Sequence, residues 1–176
     1  MAAPRLELDP LYLGGHVHLG RVLYLGGRYQ EAIEQLQSTL ELDPGFREAH
    51  WQLALTYEAK GDHNQAMASF GRALALSGDS PGAWGSLGHC CAICGRPEDA
   101  RRYQRMLEHF EDRPMILPSL ALIHTGLLEW DEAMNCIEEC WAARSPLVLR
   151  LKTDPRFAPL RSHPRFQAIL AEVGLS

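Results

Sequence analysis

Five cysteines are the residues of this 176-residue chain best suited to chemistry. Cys91 and Cys94 frame a C-x-x-C with Cys90 beside it, and Cys136 and Cys140 lie four apart, one turn of a helix. Two such pairs could supply four thiolates to a zinc ion, or a dithiol to redox exchange. The odd total shows no disulfide framework and fits a reducing compartment. Eight histidines are scattered along the chain. None forms a His-Glu-x-x-His motif, and no serine or cysteine nucleophile stands beside a base in a recognisable pattern. The glycine pairs at 14–15 and 26–27 fall in helical and turn contexts, not after a strand, so they are not phosphate cradles. These absences argue against an enzyme and against a cofactor. The net charge of −5 gives no overall reason to bind nucleic acid.

What those side chains do depends on the elements that carry them, and here a period governs. Leu19-Gly20, Leu53-Ala54 and Leu87-Gly88 recur every 34 residues, in step with Gly27, Gly61 and Gly95 and with Ala32, Ala66 and Ala100. A fourth copy continues in Leu120-Ala121 and Ala133. A fixed period of this size means stacked helix pairs, each burying its apolar face on its neighbour. In the second copy, 47–60 reads as one helix, Gly61-Asp62 as a turn and 64–76 as the return helix. Leu53, Ala54 and Tyr57 then face Ala66, Phe70 and Ala73 at helical spacing. The expected repeats are 13–46, 47–80, 81–113 and 114–145, within a stack over 10–145 that opens after Asp9-Pro10. Asp43-Pro44-Gly45 and the segment from Ser77 to Gly82 supply breaks between repeats. In this register Cys91 and His124 take the place of Tyr57, and Cys140 takes that of Ala73. These are core places, where a thiol acts as a small hydrophobe. Cys91 and Cys140 also fall on helices that are not direct neighbours. A metal or redox protein built on the cysteines stays as the third functional reading.

The pattern resembles the tetratricopeptide repeat. Trp84 holds the first aromatic place of that motif, with His16, His50 and Leu117 in its stead elsewhere. The central turn is carried by 27–33, 61–67 and 129–134. Gly126 comes two residues before the usual glycine place, so an irregular turn is expected in the fourth copy. The resemblance implies an all-α, right-handed superhelical solenoid of antiparallel helix pairs, about four repeats long. It also implies a non-catalytic scaffold that binds a peptide or partner protein in a concave groove.

On each first helix a second stripe is rotated about 130° from the core stripe, at about 100° per residue. In tetratricopeptide arrays this stripe lines the groove. It holds Gly14, Val17, Arg21 and Tyr24 in the first repeat, Glu48, Trp51, Leu55 and Glu58 in the second, and Gly82, Gly85, His89 and Ala92 in the third. Arg21, Tyr24, Trp51, Leu55, Glu58 and His89 are the expected partner-binding residues, because clustered exposed aromatics and arginines anchor interfaces. The groove lacks the asparagine and lysine clamp used for chaperone C-terminal tails. It suits an extended or helical peptide with apolar anchors and a basic residue for Glu58. The competing reading is that the tail or a neighbouring helix covers these positions.

The tail, 146–176, is expected to form capping helices. Asp154-Pro155-Arg156-Phe157 is echoed by His163-Pro164-Arg165-Phe166. Each places a capping residue before a first-turn proline, with a phenylalanine to anchor the turn. Phe157, Leu160, Phe166, Ile169 and Leu170 are available to cover the last repeat. From Arg144 to Arg165 six basic residues face a single acid, Asp154. That suits either a basic tail lying on an acidic stack or a docking site for a partner. A further contrast sets basic Arg96, Arg101, Arg102 and Arg105 against acidic Glu129, Asp131, Glu132, Glu138 and Glu139, as surface ion pairs across helices. The tail also resembles the C-terminal close of tetratricopeptide regions in bacterial multidomain signalling proteins. That resemblance implies an alternative function: a regulatory segment acting in cis on a cyclase, kinase or winged-helix domain. No apolar leader core and no run of 18 apolar residues is present, which leads to an expectation of a cytoplasmic protein that binds neither membrane nor nucleic acid. A shared end cap would let two copies pair as a homodimer.

Overall fold

A computed structural model describes residues 12–78 and 80–174. The proposed start at Asp9-Pro10 and Asp79 in the break before Pro81 lie outside the described residues. All regular elements among them are helical. In chain order they are α1 (Leu13–Leu25), α2 (Tyr29–Leu42), α3 (Arg47–Lys60), α4 (His63–Ser77), α5 (Pro81–Ile93), α6 (Pro97–Leu107), α7 (Arg113–Gly126), α8 (Trp130–Ala142), two 3-10 turns (Pro146–Arg150 and Pro155–Leu160) and α9 (Pro164–Glu172). The helices pack in consecutive pairs, as the period requires.

The chain separates into two compact units, one ending at Leu76 and the other beginning at Ser77. In the first unit, α1 packs on α2 and on α3, and α2 packs on α3. Its core holds Ala32, Ile33, Leu36, Ala49, Leu53, Ala54, Ala66, Phe70 and Ala73, all buried. Gly20 shows why the small place is kept: a Cβ there would lie 2.8 Å from Leu36 Cγ.

In the second unit, α5 packs on α6 and α7, and α7 on α8. α5 approaches α7 through glycine. A Cβ on Gly85 would lie 2.5 Å from Ser119 Cβ, and one on Gly88 would lie 2.6 Å from Ile123 Cδ1. Ser119 Oγ also donates to the Pro81 carbonyl at 2.8 Å. The tail belongs to this unit. The first 3-10 turn and α9 pack on α8, and the second 3-10 turn on α7. Phe157, Leu160, Phe166, Ile169 and Leu170 are buried. Two of the three tail segments are 3-10 rather than α, being five and six residues long. Runs that short, with Pro146, Pro155 and Pro159 withholding backbone donors, leave few α-type bonds to make.

The turn of the fourth copy is regular, contrary to the expectation drawn from Gly126. Leu128 N–H reaches Thr125 O and Glu129 N–H reaches His124 O, as Gly27 reaches Tyr24 and Arg28 reaches Leu23 in the first copy. Leu128 takes the left-handed φ of 63° that Gly27, Gly61 and Gly95 take at 73°, 87° and 73°. Gly126 serves packing instead, since a Cβ there would meet Ala92 Cβ at 2.9 Å.

Candidate functional site

The first helices carry the groove positions, and the structure divides the six expected residues. Arg21 is exposed on α1, while Trp51 and Leu55 are half-buried on α3. Tyr24, Glu58 and His89 are buried, at 8%, 7% and 5% exposure, so their expected open placement is corrected. For Tyr24 and His89 the reason is that α1 and α5 each have two packing neighbours: their own return helix and the first helix of the next repeat. Tyr24 belongs to a cluster with Leu23 and Ala32, on which Leu19, Tyr29, Leu55 and Ala59 pack. Its ring stands 6.1 Å from that of Tyr29. His89 lies in the α5–α7 seam, where a Cβ on Gly126 would come within 3.1 Å of its ring. Glu58 is no open carboxylate for a basic side chain. Trp51 meets Phe70 edge to face at 5.3 Å and stays half-buried. Leu55 packs on the cluster that holds Tyr24, and α1 contacts α3, which sets the two stripes side by side. Arg21, one turn before Tyr24, and Trp51, one turn before Leu55, therefore share this region of the first unit.

The corresponding face of the second unit is covered. The second 3-10 turn packs on α7, and Arg156 Nη1 reaches Ser86 Oγ on α5 at 3.0 Å. Asp154 accepts from Arg156 at 2.7 Å and 3.0 Å and caps its turn through the Arg156 N–H at 3.1 Å. Burial pushes the Asp154 carboxyl up, but the bonds from Arg156 outweigh it and hold the group below its usual range.

Charges elsewhere are mostly consumed internally. His124 Nδ1 donates to Glu129 at 2.7 Å, and Arg101 grips the same carboxylate. Burial raises Glu129, and the hydrogen bonds from Arg101 and His124 more than reverse that. Glu139 pairs with Arg113 through two bonds of 2.8 Å. Arg165 of the tail bonds Glu138 at 2.6 Å and 2.7 Å, and lies 3.6 Å from Asp131. The acidic α8 is thus met by α7 and the tail, while Arg101 of basic α6 reaches Glu129 just before α8 and Arg96, just before α6, holds Asp99.

The thiols sit as small core groups. Cys90, Cys91, Cys136 and Cys140 are buried and Cys94 is half-buried. Burial raises Cys91, and it pushes Cys136 up to about 11 and Cys140 up to about 12. Thiols of that kind are poor nucleophiles at neutral pH. The four-thiolate set of Cys91, Cys94, Cys136 and Cys140 does not assemble among the described residues. His16 is half-buried and accepts from Gln35 at 2.7 Å; His50 and His124 are buried.

Sequence reading missed one hollow of about 420 Å³ in the first unit, lined by Leu40, Pro44, His50, Arg72, Ala75 and Leu76. His50 Nε2 donates to the Pro44 carbonyl at 2.8 Å, while its Nδ1 is buried without a partner. Nothing in the periodicity marks this place, because its lining comes from α2, the turn after it, α3 and α4 together. Among the described residues, no helix is long and apolar enough to cross a membrane.

Comparison with known proteins agrees with this architecture. Residues 20–61 match the family profile described as TPR repeat, and residues 48–80 match that described as tetratricopeptide repeat. No curated protein matches the chain. Among solved structures, the fold resembles YrrB, described as a TPR protein with an unusual peptide-binding site, at TM-score 0.52 and 16% identity over 95% of this chain and 79% of that one. It resembles a chain of the APC/C hetero-tetramer Cut9-Hcn1 at TM-score 0.69 and 18% identity, over 97% of this chain but only 35% of that one. A tetratricopeptide repeat protein of Parabacteroides merdae aligns at TM-score 0.58 and 16% identity, over 97% and 67% of the two chains.

Proposed function

We infer that this chain, which carries tetratricopeptide repeats over residues 20–80, is a protein-interaction scaffold without catalytic activity. Its binding face for a peptide or partner protein is the α1–α3 region of the first unit. The observation that carries this is the grouping of exposed Arg21 with the half-buried Trp51 and Leu55 on neighbouring first helices. Arginine and tryptophan are the usual interface anchors. YrrB, with its peptide-binding site, and the Cut9-Hcn1 assembly give the reading support from fold neighbours. The partner has an apolar anchor for Trp51 and Leu55 and a carboxylate for Arg21. The setting is the cytoplasm of a bacterium.

The test is a binding titration with a partner identified by capture on the wild-type chain. Arg21→Glu and Trp51→Ala are each expected to weaken binding at least tenfold. Arg21 is exposed and makes no ion pair among the described residues, so its reversal reports on binding without disturbing the fold. Unchanged affinity in both variants would remove the α1–α3 assignment.

The tail favours a second reading, because 146–170 resembles the close of tetratricopeptide regions in bacterial signalling proteins. The chain would then be a regulatory segment acting in cis. An upstream cyclase, kinase or winged-helix domain in the full reading frame supports that reading, and a reading frame without one removes it.

A further inference from the structure

Within the second unit, the tail meets two different hosts with two versions of one turn. The first version, Asp154-Pro155-Arg156-Phe157, docks on α5 and α7. Neither helix contains an aspartate or a glutamate. A guanidinium entering a poorly solvated place without a host carboxylate must bring its own counter-charge. Asp154 supplies it two residues away, and the side chains of the pair are only 9% and 11% exposed. The host adds a neutral hydroxyl, Ser86 Oγ, 3.0 Å from Arg156 Nη1, and Phe157 and Leu160 of the turn that packs on α7 are out of solvent. The second version begins with His163, so Arg165 carries no acid of its own. It lands on α8, whose Glu138 and Asp131 provide the negative charge. The charge carried within each turn matches the charge lacking or present on its host.

We propose that the α5–α7 face is a recognition site for a turn of the type Asp-Pro-Arg-aromatic, held in cis by residues 154–157, and that a partner carrying such a turn enters by displacing the tail. The proposal rests on the scaffold reading but concerns a different unit from the Arg21 and Trp51 face. Displacement is feasible because Asp154 and Arg156 leave together as a neutral pair. The backbone bonds of the 3-10 turn are also local, such as Phe157 N–H to Asp154 O, and depart with it. The occupant is therefore selected by an internally neutralised charge pair followed by an aromatic anchor.

The experiment uses the full chain and a fluorescent peptide copying 150–162. Arg156→Ala loosens the resident turn and is expected to raise peptide affinity at least tenfold over wild type. The same peptide with Asp154→Asn should bind the variant at least tenfold more weakly, because its guanidinium arrives without a counter-charge. A peptide copying 161–171, with the histidine version of the turn, should not bind this face. If the variant takes up no peptide, or takes up all three alike, the proposal is overturned. Should Arg156→Ala fail to fold by circular dichroism, excess unlabelled peptide is added to the wild-type chain and deuterium uptake is read over 150–162. Faster uptake supports displacement, and unchanged uptake overturns it. Arg21→Glu leaves all of these readings unmoved, so failure here is separable from failure of the first-unit assignment.

Discussion

Leu128 occupies the left-handed place that glycine fills in the other three copies, with φ 63°. A left-handed residue with a Cβ is strained by about 1–2 kcal/mol. Glycine removes the strain but loses about 0.5–1 kcal/mol to its freedom in the unfolded chain. The side chain is 65% exposed, so little packing is lost with it. Leu128→Gly is therefore expected to stabilise the protein by about 0.5–1 kcal/mol, read as a rise in melting temperature of about 1–4 °C. An unchanged or lower melting temperature would mean that the leucine is held by packing instead. The thiols give a second expectation at this scale. In a native titration with a thiol reagent, half-buried Cys94 should react first. Cys136 and Cys140, both raised by burial, should react only on unfolding. The period made the core identity of Cys91, Cys140 and His124 legible, because register alone fixes which face a residue takes. It could not reveal Leu128, since nothing in a leucine announces a positive φ.

At the level of elements, the seam between first helices was the feature hardest to read. The stripe of Gly85, His89 and Ala92 looks like a groove wall when a helix is considered with its return helix alone. In the second unit that stripe is the contact of α5 with α7, which is why glycine stands where a groove would want a side chain. Gly85→Ala puts a Cβ 2.7 Å from the Ser119 Cα, a backbone atom that cannot turn aside. The helices must separate, at a cost of about 1–3 kcal/mol. Urea unfolding followed by circular dichroism should show that loss, and Gly82→Ala, with only Ser80 Oγ at 3.9 Å, should show almost none. The tail helices were legible from their prolines and caps, but their 3-10 form was not. The Asp154–Arg156 pair joins tail to helix, and its pH dependence has a definite sign. Asp154 titrates below its usual range when folded, so its contribution is complete above the unfolded value of about 4 and is lost as pH falls through the lower folded value. Asp154→Asn lacks the contribution at every pH. The difference in unfolding free energy between wild type and variant should accordingly be constant from pH 7 to 5 and shrink by pH 3.

Across the molecule, a 34-residue period and small residues at fixed places were enough to specify paired helices, because each pair needs only its neighbours to bury its core. The candidate face was legible only in part. Periodicity gives the direction a side chain takes from its own helix, but not which other element arrives there. Leu55 packs on the cluster that holds Tyr24, and the tail lies on α5 and α7, through contacts between residues far apart in sequence. Charge follows the same division. The basic run of 144–165 reads in sequence as a candidate docking patch, yet Arg156 and Arg165 are spent on Asp154, Glu138 and Asp131 within the second unit. Affinity for duplex DNA comes mainly from neutralising phosphates and releasing counterions, so it requires cations that are free to leave their own partners. With a net charge of −5 and two tail arginines already paired, retention on duplex DNA at about 0.15 M salt should be undetectable in a mobility-shift assay. Arg165→Ala should leave that result unchanged while freeing Glu138, whose carboxyl then returns toward its usual range because the hydrogen bond from Arg165 is the main cause of its lowering. Salt-sensitive DNA binding that disappears in Arg165→Ala would instead mean that the tail exchanges its internal acids for phosphate.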